Sequence, residues 1–321
     1  MNCVIFGASG FIGTNICRAL RDTAFHVRAF GRQEACPEEI TGVEWFRGNF
    51  NDPQAVNAAV ESADIVIHAV STTTPHTANL DKTGDIIANV VSTVHLLEAC
   101  RNFDVQRIIF LSSGGTVYGI PSVVPTPESA ETAPISAYGI SKLSIEKYLA
   151  LYHHLYGLEY RILRIANPFG PHQEYRRHRG VITAFLNDAL NNKPVHIWGD
   201  GSIVRDYIYV DDLVNAIILS MTHQGKDRVF NIGSGEGRTL NELVAALERS
   251  LKRPVPVQYF ETRATDVPCS ILDISLAQEK LGWRPQVPFE QGLDRTIAWA
   301  RGYNALARKK EGASRLRLAG E

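Results

Sequence analysis

The 321-residue chain lacks any long apolar run, and none reaches the ~18 residues that a membrane span needs. No basic segment leading into an apolar one precedes the first apolar stretch, Cys3-Val4-Ile5-Phe6, so neither membrane insertion nor secretion is expected. Cysteine is sparse and scattered. The five residues at 3, 17, 36, 100 and 269 form no Cys-x-x-Cys pair, which argues for reduced thiols in the cytoplasm rather than a disulfide scaffold. An excess of one charge is missing too: 33 Lys and Arg face 34 Asp and Glu, so no global basic field invites nucleic acid. The exception is 301–321, where six basic residues meet two Glu, and 304–321 reads as a basic, solvated, flexible tail. The ten histidines include no His-Glu-x-x-His or comparable cluster, so no metal site is expected. There is no Gly-x-Ser-x-Gly elbow of a hydrolase, no internal repeat and no low-complexity segment.

What the chain does have is apolar residues, 45% of the total, arranged in a rhythm. Cores tend to split at about 250–300 residues, so two lobes are expected. Val4–Phe6, Val27–Phe30, Ile65–Val70, Ile108–Ser112 and Tyr160–Ile165 read as strands. Ile12–Leu20, Pro53–Val60, Ile86–Arg101 and Ala137–Tyr156 read as helices between them. This alternation predicts an α/β fold with a doubly wound parallel sheet. Beyond about Asn167 the rhythm breaks. A charged segment, 175–179, precedes a helical pattern at Val181–Leu190, a turn at 197–201 and a strand-like Asp206–Val210, as a smaller mixed α/β lobe would require. The pattern Leu240, Leu243, Val244, Leu247, Leu251 is core packing on a helix. Asp211 and Asp212 are expected to cap the helix that follows them.

Gly7-Ala8-Ser9-Gly10-Phe11-Ile12-Gly13 lies directly after the first strand and opens the first helix. Glycines there permit a tight turn and let backbone approach a pyrophosphate, whose charge rests on helix N-terminal amides. Gly7, Gly10, Phe11, Ile12 and Gly13 are therefore candidate dinucleotide-binding residues of a Rossmann-type domain. The second strand ends Ala29-Phe30-Gly31-Arg32 without the carboxylate that usually meets the ribose diol. NAD is the expected cofactor, and the missing acid leaves NADP open, with Arg32 positioned either to pair with a 2′-phosphate or to remain a solvated loop cation.

Tyr138-Gly139-Ile140-Ser141-Lys142 starts a helix, and residues four apart share a face. A phenol is a poor base near neutrality, and a nearby ammonium is expected to lower its pKa. Tyr138 would then exchange a proton with a sugar hydroxyl while hydride leaves the same carbon.

The motifs recur in a known order. The glycine loop is followed by Leu111-Ser112-Ser113-Gly114-Gly115-Thr116-Val117-Tyr118-Gly119, by Tyr138-x-x-x-Lys142, and by Arg164-x-x-Asn167-Pro168-x-Gly170-Pro171. Last comes Gly199-Asp200-Gly201, leading to Arg205-Asp206-Tyr207. From Met1 to about Ala300 the chain resembles the extended short-chain dehydrogenases/reductases, in their nucleotide-sugar epimerase/dehydratase group. The resemblance implies Tyr138 as acid/base and Lys142 as its tuning partner on the nicotinamide ribose. It implies Asn89 as a support of its helix near the site and Asn49 as a neutral adenine contact. Asn167 would meet the sugar nucleotide, and Arg205 and Arg263 its diphosphate, the alternative being surface pairs with Asp206 and Asp266. A homodimer built on Ile86–Arg101 and Ala137–Tyr156 is also implied, although by the sequence alone those faces could equally pack internally. His172 is either an ordinary surface histidine or, by the place of its loop, one that lines the cleft. Its domains would be 1–170 with 206–235 for the dinucleotide, and 171–205 with 236–303 for the substrate.

Two departures bear on the reaction. Gly114 stands where the epimerases carry a hydroxyl residue, so Thr116 or Ser113 must substitute, and alternation along an extended segment favours Thr116. Gly115 and Thr116 stand where the dehydratases carry an Asp-Glu pair, which disfavours dehydration. The expected activity is C4 epimerisation of a UDP-hexose or UDP-N-acetylhexosamine through a transient 4-keto sugar, in carbohydrate biosynthesis. The alternatives are an NADP-dependent 4-keto nucleotide-sugar reductase and a non-catalytic nucleotide sensor.

Overall fold

The computed structural model describes residues 1–173, 180–262 and 267–318, with side chains to Tyr303. In chain order the strands are β1 (Asn2–Phe6), β2 (His26–Gly31), β3 (Glu44–Arg47), β4 (Ile65–His68), β5 (Arg107–Ser113), β6 (Glu159–Ile165), β7 (Asn167–Phe169), β8 (Val195–Trp198), β9 (Val204–Tyr209), β10 (Val229–Ile232), β11 (Gly237–Thr239), β12 (Val257–Phe260) and β13 (Cys269–Ser270). The helices are α1 (Phe11–Leu20), α2 (Pro53–Val60), α3 (Pro75–Leu80), α4 (Lys82–Asp85), α5 (Ser92–Asn102), α6 (Gly114–Val117), α7 (Ala137–Tyr156), α8 (Val181–Leu190), α9 (Val210–Thr222), α10 (Leu240–Leu251), α11 (Ser275–Leu281) and α12 (Phe289–Leu318). A π-helical stretch, Ile86–Val91, joins α4 to α5.

Seven strands form one parallel sheet in the order β10-β6-β5-β4-β1-β2-β3. The order reverses between β1 and β4, and ligands of such sheets sit outside the strand C-termini at that crevice. Successive strand residues feed opposite faces, as period-two geometry demands. Ile5, Ile67 and Ile109 enter the core packed with Ile16 and Leu213, while Val4, Val66 and Ile108 enter the other with Leu97 and Leu149. A third core gathers Phe169, Leu186, Ile197, Leu247 and Leu293. It lies around β9, which pairs with β7, β11 and β13, and near the β8–β12 pair.

Several sequence readings change in detail. The Ile86–Arg101 helix opens as a π-helix, and the strand read as Asp206–Val210 runs from Val204 to Tyr209 with Val210 already helical. Asp212 does not cap α9. Its carboxylate accepts from the backbone amides of Gln286 (2.9 Å) and Val287 (3.0 Å), pinning the segment before α12. The basic tail expected at 304–321 falls on residues whose side chains lie outside the described part, and the backbone of α12 continues to Leu318. The charged segment at 175–179 lies outside the described residues as well.

Candidate active site

The glycine turn is a cradle in which side chains are excluded by distance. Gly7 has φ of +86°, and a Cβ there would stand 2.9 Å from the carbonyl carbon of Ala69. A Cβ on Gly13 would stand 2.1 Å from the Gly7 carbonyl oxygen, so only glycine lets α1 pack onto the turn. Gly10 is the N-cap of α1, its amide donates to Gly7 O at 3.0 Å, and Thr14 N begins the helical ladder by donating to Gly10 O at 2.8 Å. The amides of Phe11, Ile12 and Gly13 precede that first bond, the arrangement that receives a phosphate at a helix N-terminus. Arg32 is exposed just after β2 and carries no ion pair among the described residues. Asn49 is exposed, and its side chain accepts from Asn51 N at 3.1 Å within its own turn.

The helix α7 begins at Ser136, whose hydroxyl accepts from Gly139 N at 3.2 Å and satisfies one of the free amides of its first turn. It presents Tyr138 and Lys142 one turn apart. The Lys142 ammonium donates to Leu111 O at 2.9 Å and lies 4.7 Å from the Phe110 ring centroid and 5.7 Å from that of Tyr138. Burial pushes Lys142 down to about 8, while Glu146 and Asp85 pull it upward. Tyr138 corrects the sequence reading. Burial holds its phenol above the ordinary value, a hydrogen bond with Ser71 pulls it down, and the Asp85 charge adds to the rise. The ammonium faces the β5 carbonyl rather than the phenol oxygen, so the protein alone does not supply the expected lowering.

The segment after β5 also differs from expectation. Gly114–Val117 is a helical turn, so the alternation that pointed Thr116 into the site does not apply. Thr116 donates to Ser113 O at 3.5 Å, and its carbonyl packs 2.7 Å from the place of a Cβ on Gly139. Gly114 is accounted for: a Cβ there would meet Leu272 Cδ1 at 2.6 Å and Arg164 O at 3.2 Å. Leu272 fills the space that a hydroxyl residue would need.

A cavity of about 1180 Å³ opens between the 72–88 segment and the third core. Its wall includes Asn167, Arg205 and Tyr207, and on the opposite side Thr72, Thr73 and Asp85. Asn167 donates to Asp206 O at 2.9 Å. Arg205 donates to the carbonyls of Val204 (2.9 Å) and Val267 (2.6 Å), which fixes the stem of its guanidinium at the wall. Asp206 does not pair with it. That buried carboxylate accepts from Ser234 N and Oγ, Gly235 N and Leu272 N. The Tyr207 hydroxyl is buried without a hydrogen-bond partner among the described residues, an orphan group that a polar ligand would satisfy. Arg263 lies outside the described residues. His172 is not in the cavity wall; its ring packs 5.6 Å from that of Trp299.

Asn89 supports more than its own helix. Its side-chain oxygen accepts from Thr72 N at 3.1 Å, and its amide donates to Asp85 Oδ1 at 2.9 Å and Thr73 Oγ1 at 3.2 Å. Sequence reasoning missed Ser71, Thr73 and Asp85 of this network. It also missed Glu146, which accepts from Arg164 at 2.7 Å and from Ser112 at 2.6 Å and so clamps α7 to β5 and β6. The only available signal was Arg164 in its motif, which named no partner.

Comparison with known proteins agrees with this geometry. A UDP-glucose 4-epimerase from Thermotoga maritima, solved with UDP-glucose, is 35% identical with a TM-score of 0.90, over 94% of this chain and 99% of that one. A UDP-glucose 4-epimerase from Thermus thermophilus in complex with NAD is 31% identical with a TM-score of 0.87, over 94% and 99%. A dTDP-4-dehydro-6-deoxyglucose reductase from Escherichia coli is 33% identical over 305 residues, 92% of this chain and 96% of the relative. The family profile described as NAD dependent epimerase/dehydratase matches residues 3–233. A glycine cradle at the sheet's crevice, a Tyr-Lys pair one helical turn apart and a cavity beside them thus coincide with the profile, and the chain belongs to the NAD dependent epimerase/dehydratase family.

Proposed function

We propose that the protein is a nucleotide-sugar C4 epimerase that works with a bound nicotinamide dinucleotide. The observation that carries this reading is the Tyr138–Lys142 pair at the C-terminal edge of β5, beside a cavity whose far wall holds Asn167 and Arg205. The residues fit the cofactor: the glycine turn and the first-turn amides of α1 follow β1, and Lys142 is held near the C-terminal end of β5 on the same edge of the parallel sheet. The nicotinamide, when bound, supplies a reversible hydride acceptor. Tyr138 takes the proton of the sugar 4-hydroxyl as that carbon is oxidised, and returns it after the 4-keto sugar has presented its other face. Lys142 carries its positive charge on the same helical face, which favours the phenolate form that Tyr138 needs to accept that proton. Arg205, Asn167 and the Tyr207 hydroxyl bind the nucleotide diphosphate, a role suited to permanently charged, forked donors. With Leu272 filling the space beside Gly114, the helical turn leaves Ser113 and Thr116 as the nearest hydroxyls on that segment to serve the sugar oxygen.

The separate third core supports a substrate lobe distinct from the dinucleotide unit. Leu272, Ile274, Ala277, Leu281 and Trp283 nevertheless pack in the first core and Phe169, Tyr207 and Tyr209 in the third, so the two units exchange residues across the bounds 171–205 with 236–303 and 1–170 with 206–235. The exposed apolar residues Ile140, Tyr148, Leu151 and Leu155 stripe one side of α7, with Ile87 and Val91 exposed on the neighbouring helical segment. Their burial in a homodimer is the natural use of such a face. All five cysteines are free, and Cys3, Cys17 and Cys100 are buried, which suits a cytoplasmic setting. Among the described residues no helix is long and apolar enough to cross a membrane.

A second reading is favoured by Gly31-Arg32 and the missing acid after β2: an NADPH-dependent reduction of a 4-keto nucleotide sugar, reduction being the class of reaction named for the E. coli relative. Proton NMR separates the two. Conversion of UDP-glucose or UDP-N-acetylglucosamine to the galacto product with catalytic NAD, and without accumulated reduced cofactor, is the expected result. No conversion, together with stoichiometric NADPH consumption on a 4-keto nucleotide sugar, would establish the reductase instead.

A further inference from the structure

Asp85 is the most deeply buried carboxylate near the Tyr-Lys pair, 1% exposed, and nothing above assigns it a task. It ends α4, just before the π-helical stretch. One carboxylate oxygen accepts from Thr73 Oγ1 and from Asn89 Nδ2, the latter at 2.9 Å. The other accepts from Ser141 Oγ, a residue that lies on α7 between Tyr138 and Lys142. Thr73 belongs to the 71–74 loop, whose Ser71 acts on Tyr138 to pull its phenol pKa down and whose Thr72 is held by Asn89. Loop, π-helix and catalytic helix therefore meet on a single side chain.

We propose that Asp85 is a positioning residue for the Tyr138–Lys142 pair, tying the 71–74 loop that touches Tyr138 to the middle of the catalytic helix. The inference rests on the acid/base reading of Tyr138 given above. A buried carboxylate is costly unless paired, and hydrogen bonds alone do not explain why this one is an acid. An asparagine would accept from Thr73 and Asn89 with its oxygen and donate its amide to the Ser141 hydroxyl. What the asparagine lacks is the charge. That charge raises both Tyr138 and Lys142. The Asp85 charge thus opposes ionisation of the phenol and favours the ammonium, while the three donors tie loop and helix to one side chain.

The charged or titratable groups around Asp85 on the packed elements include Lys142 and Glu146 on α7, His76 on α3, Asp81 and Lys82 beside it, and His68 at the end of β4. His68 is neutral, driven well below its ordinary value by burial and then by the Lys142 charge. Its Nδ1 accepts from Val70 N at 3.3 Å, which leaves Nε2–H to donate to Thr93 Oγ1 at 2.8 Å. Glu146 is committed to Arg164 and Ser112. Of these groups Asp85 is the one that joins the Tyr138 loop to the helix.

The test reads Tyr138 directly, without substrate, so that it stands apart from the identity of the reaction. The tyrosinate ultraviolet difference spectrum is titrated in full-length wild type and Asp85→Asn, each against the same background carrying Tyr138→Phe. Loss of a like charge favours the phenolate, so the Asp85→Asn midpoint moves to lower pH. An unmoved midpoint in a folded Asp85→Asn protein overturns the proposal and leaves Asp85 a packing residue. Should that variant fail to fold, Ser141→Ala gives the reading: it frees Asp85 from α7, weakens its hold on Tyr138 and lowers the midpoint. An unmoved midpoint there also overturns the proposal. Where turnover is measurable, Ser141→Ala lowers kcat about tenfold with KM unchanged, the pattern of a misplaced reacting group rather than of lost binding.

Discussion

The glycine turn at 7–13 is built from backbone, whereas the helix 137–156 that carries Tyr138 and Lys142 is held by side chains from three other elements. In the turn, specificity comes from what is missing: a methyl group at Gly13 would fall 2.1 Å from a carbonyl oxygen. In the helix it comes from what is present, namely Glu146 on Arg164 and Ser112, Asp85 on Ser141, and Lys142 on a β5 carbonyl. A site made of backbone fails when anything is added. A site made of side chains fails when a charge or a partner is removed.

Substitutions can break that contrast at either end, and the largest effect is expected at the helix. Tyr138→Phe should lower turnover by about 10²–10⁴-fold, the usual worth of a general acid/base, while dinucleotide binding measured by equilibrium dialysis stays intact. Next in size is Glu146→Ala, which strands the buried Arg164 guanidinium and should cost about 3–5 kcal/mol of stability in a urea melt. Loss of less than half of that would show that the clamp is not what holds α7. At the other end, Gly13→Ala should cost about 1–3 kcal/mol by overpacking and weaken the dinucleotide more than the nucleotide sugar. Equal weakening of both ligands would mean that the turn is not a separate unit.

The pH profile sharpens the same comparison. Lys142 is lowered to about 8 by burial, so its ammonium is present at neutral pH and lost as pH rises through that value. Turnover of the free enzyme, followed as kcat/KM, should therefore fall on the alkaline side near pH 8. A flat profile there would remove Lys142 charge from the mechanism. Most selective of all is Arg32→Ala. Affinity for NAD should be unchanged, and affinity for NADP should drop by about 1.5–3 kcal/mol if the guanidinium meets the 2′-phosphate. Isothermal titration with both cofactors distinguishes the two.

Most of the sheet and the outline of the site were legible in the residues. Val181–Leu190 and Ala137–Tyr156 match the helices to the residue, because a helical residue pattern is a local signal. The glycine loop was legible for the same reason. The alternation that favoured Thr116 fails because a strand period was extended past Ser113, where the chain turns helical. Tyr138 was misread because four-residue spacing places an ammonium on the same helical face without saying where it points. Asp212 was read as a cap from its position, yet its partners are 74 and 75 residues away.

By itself the sequence determined the α/β alternation, the dinucleotide turn, the Tyr-Lys spacing and the charge balance. Each of these depends on neighbours within one helical turn or one strand. Tertiary structure decided which charges surround Tyr138, why Gly114 has no side chain, and which wall of the cavity Asn167 and Arg205 share. Those are matters of burial and contact between residues far apart in the chain. Asp85 shows the divide most clearly: 56 residues separate it from Ser141, and only folding brings the acid to the helix on which Tyr138 sits.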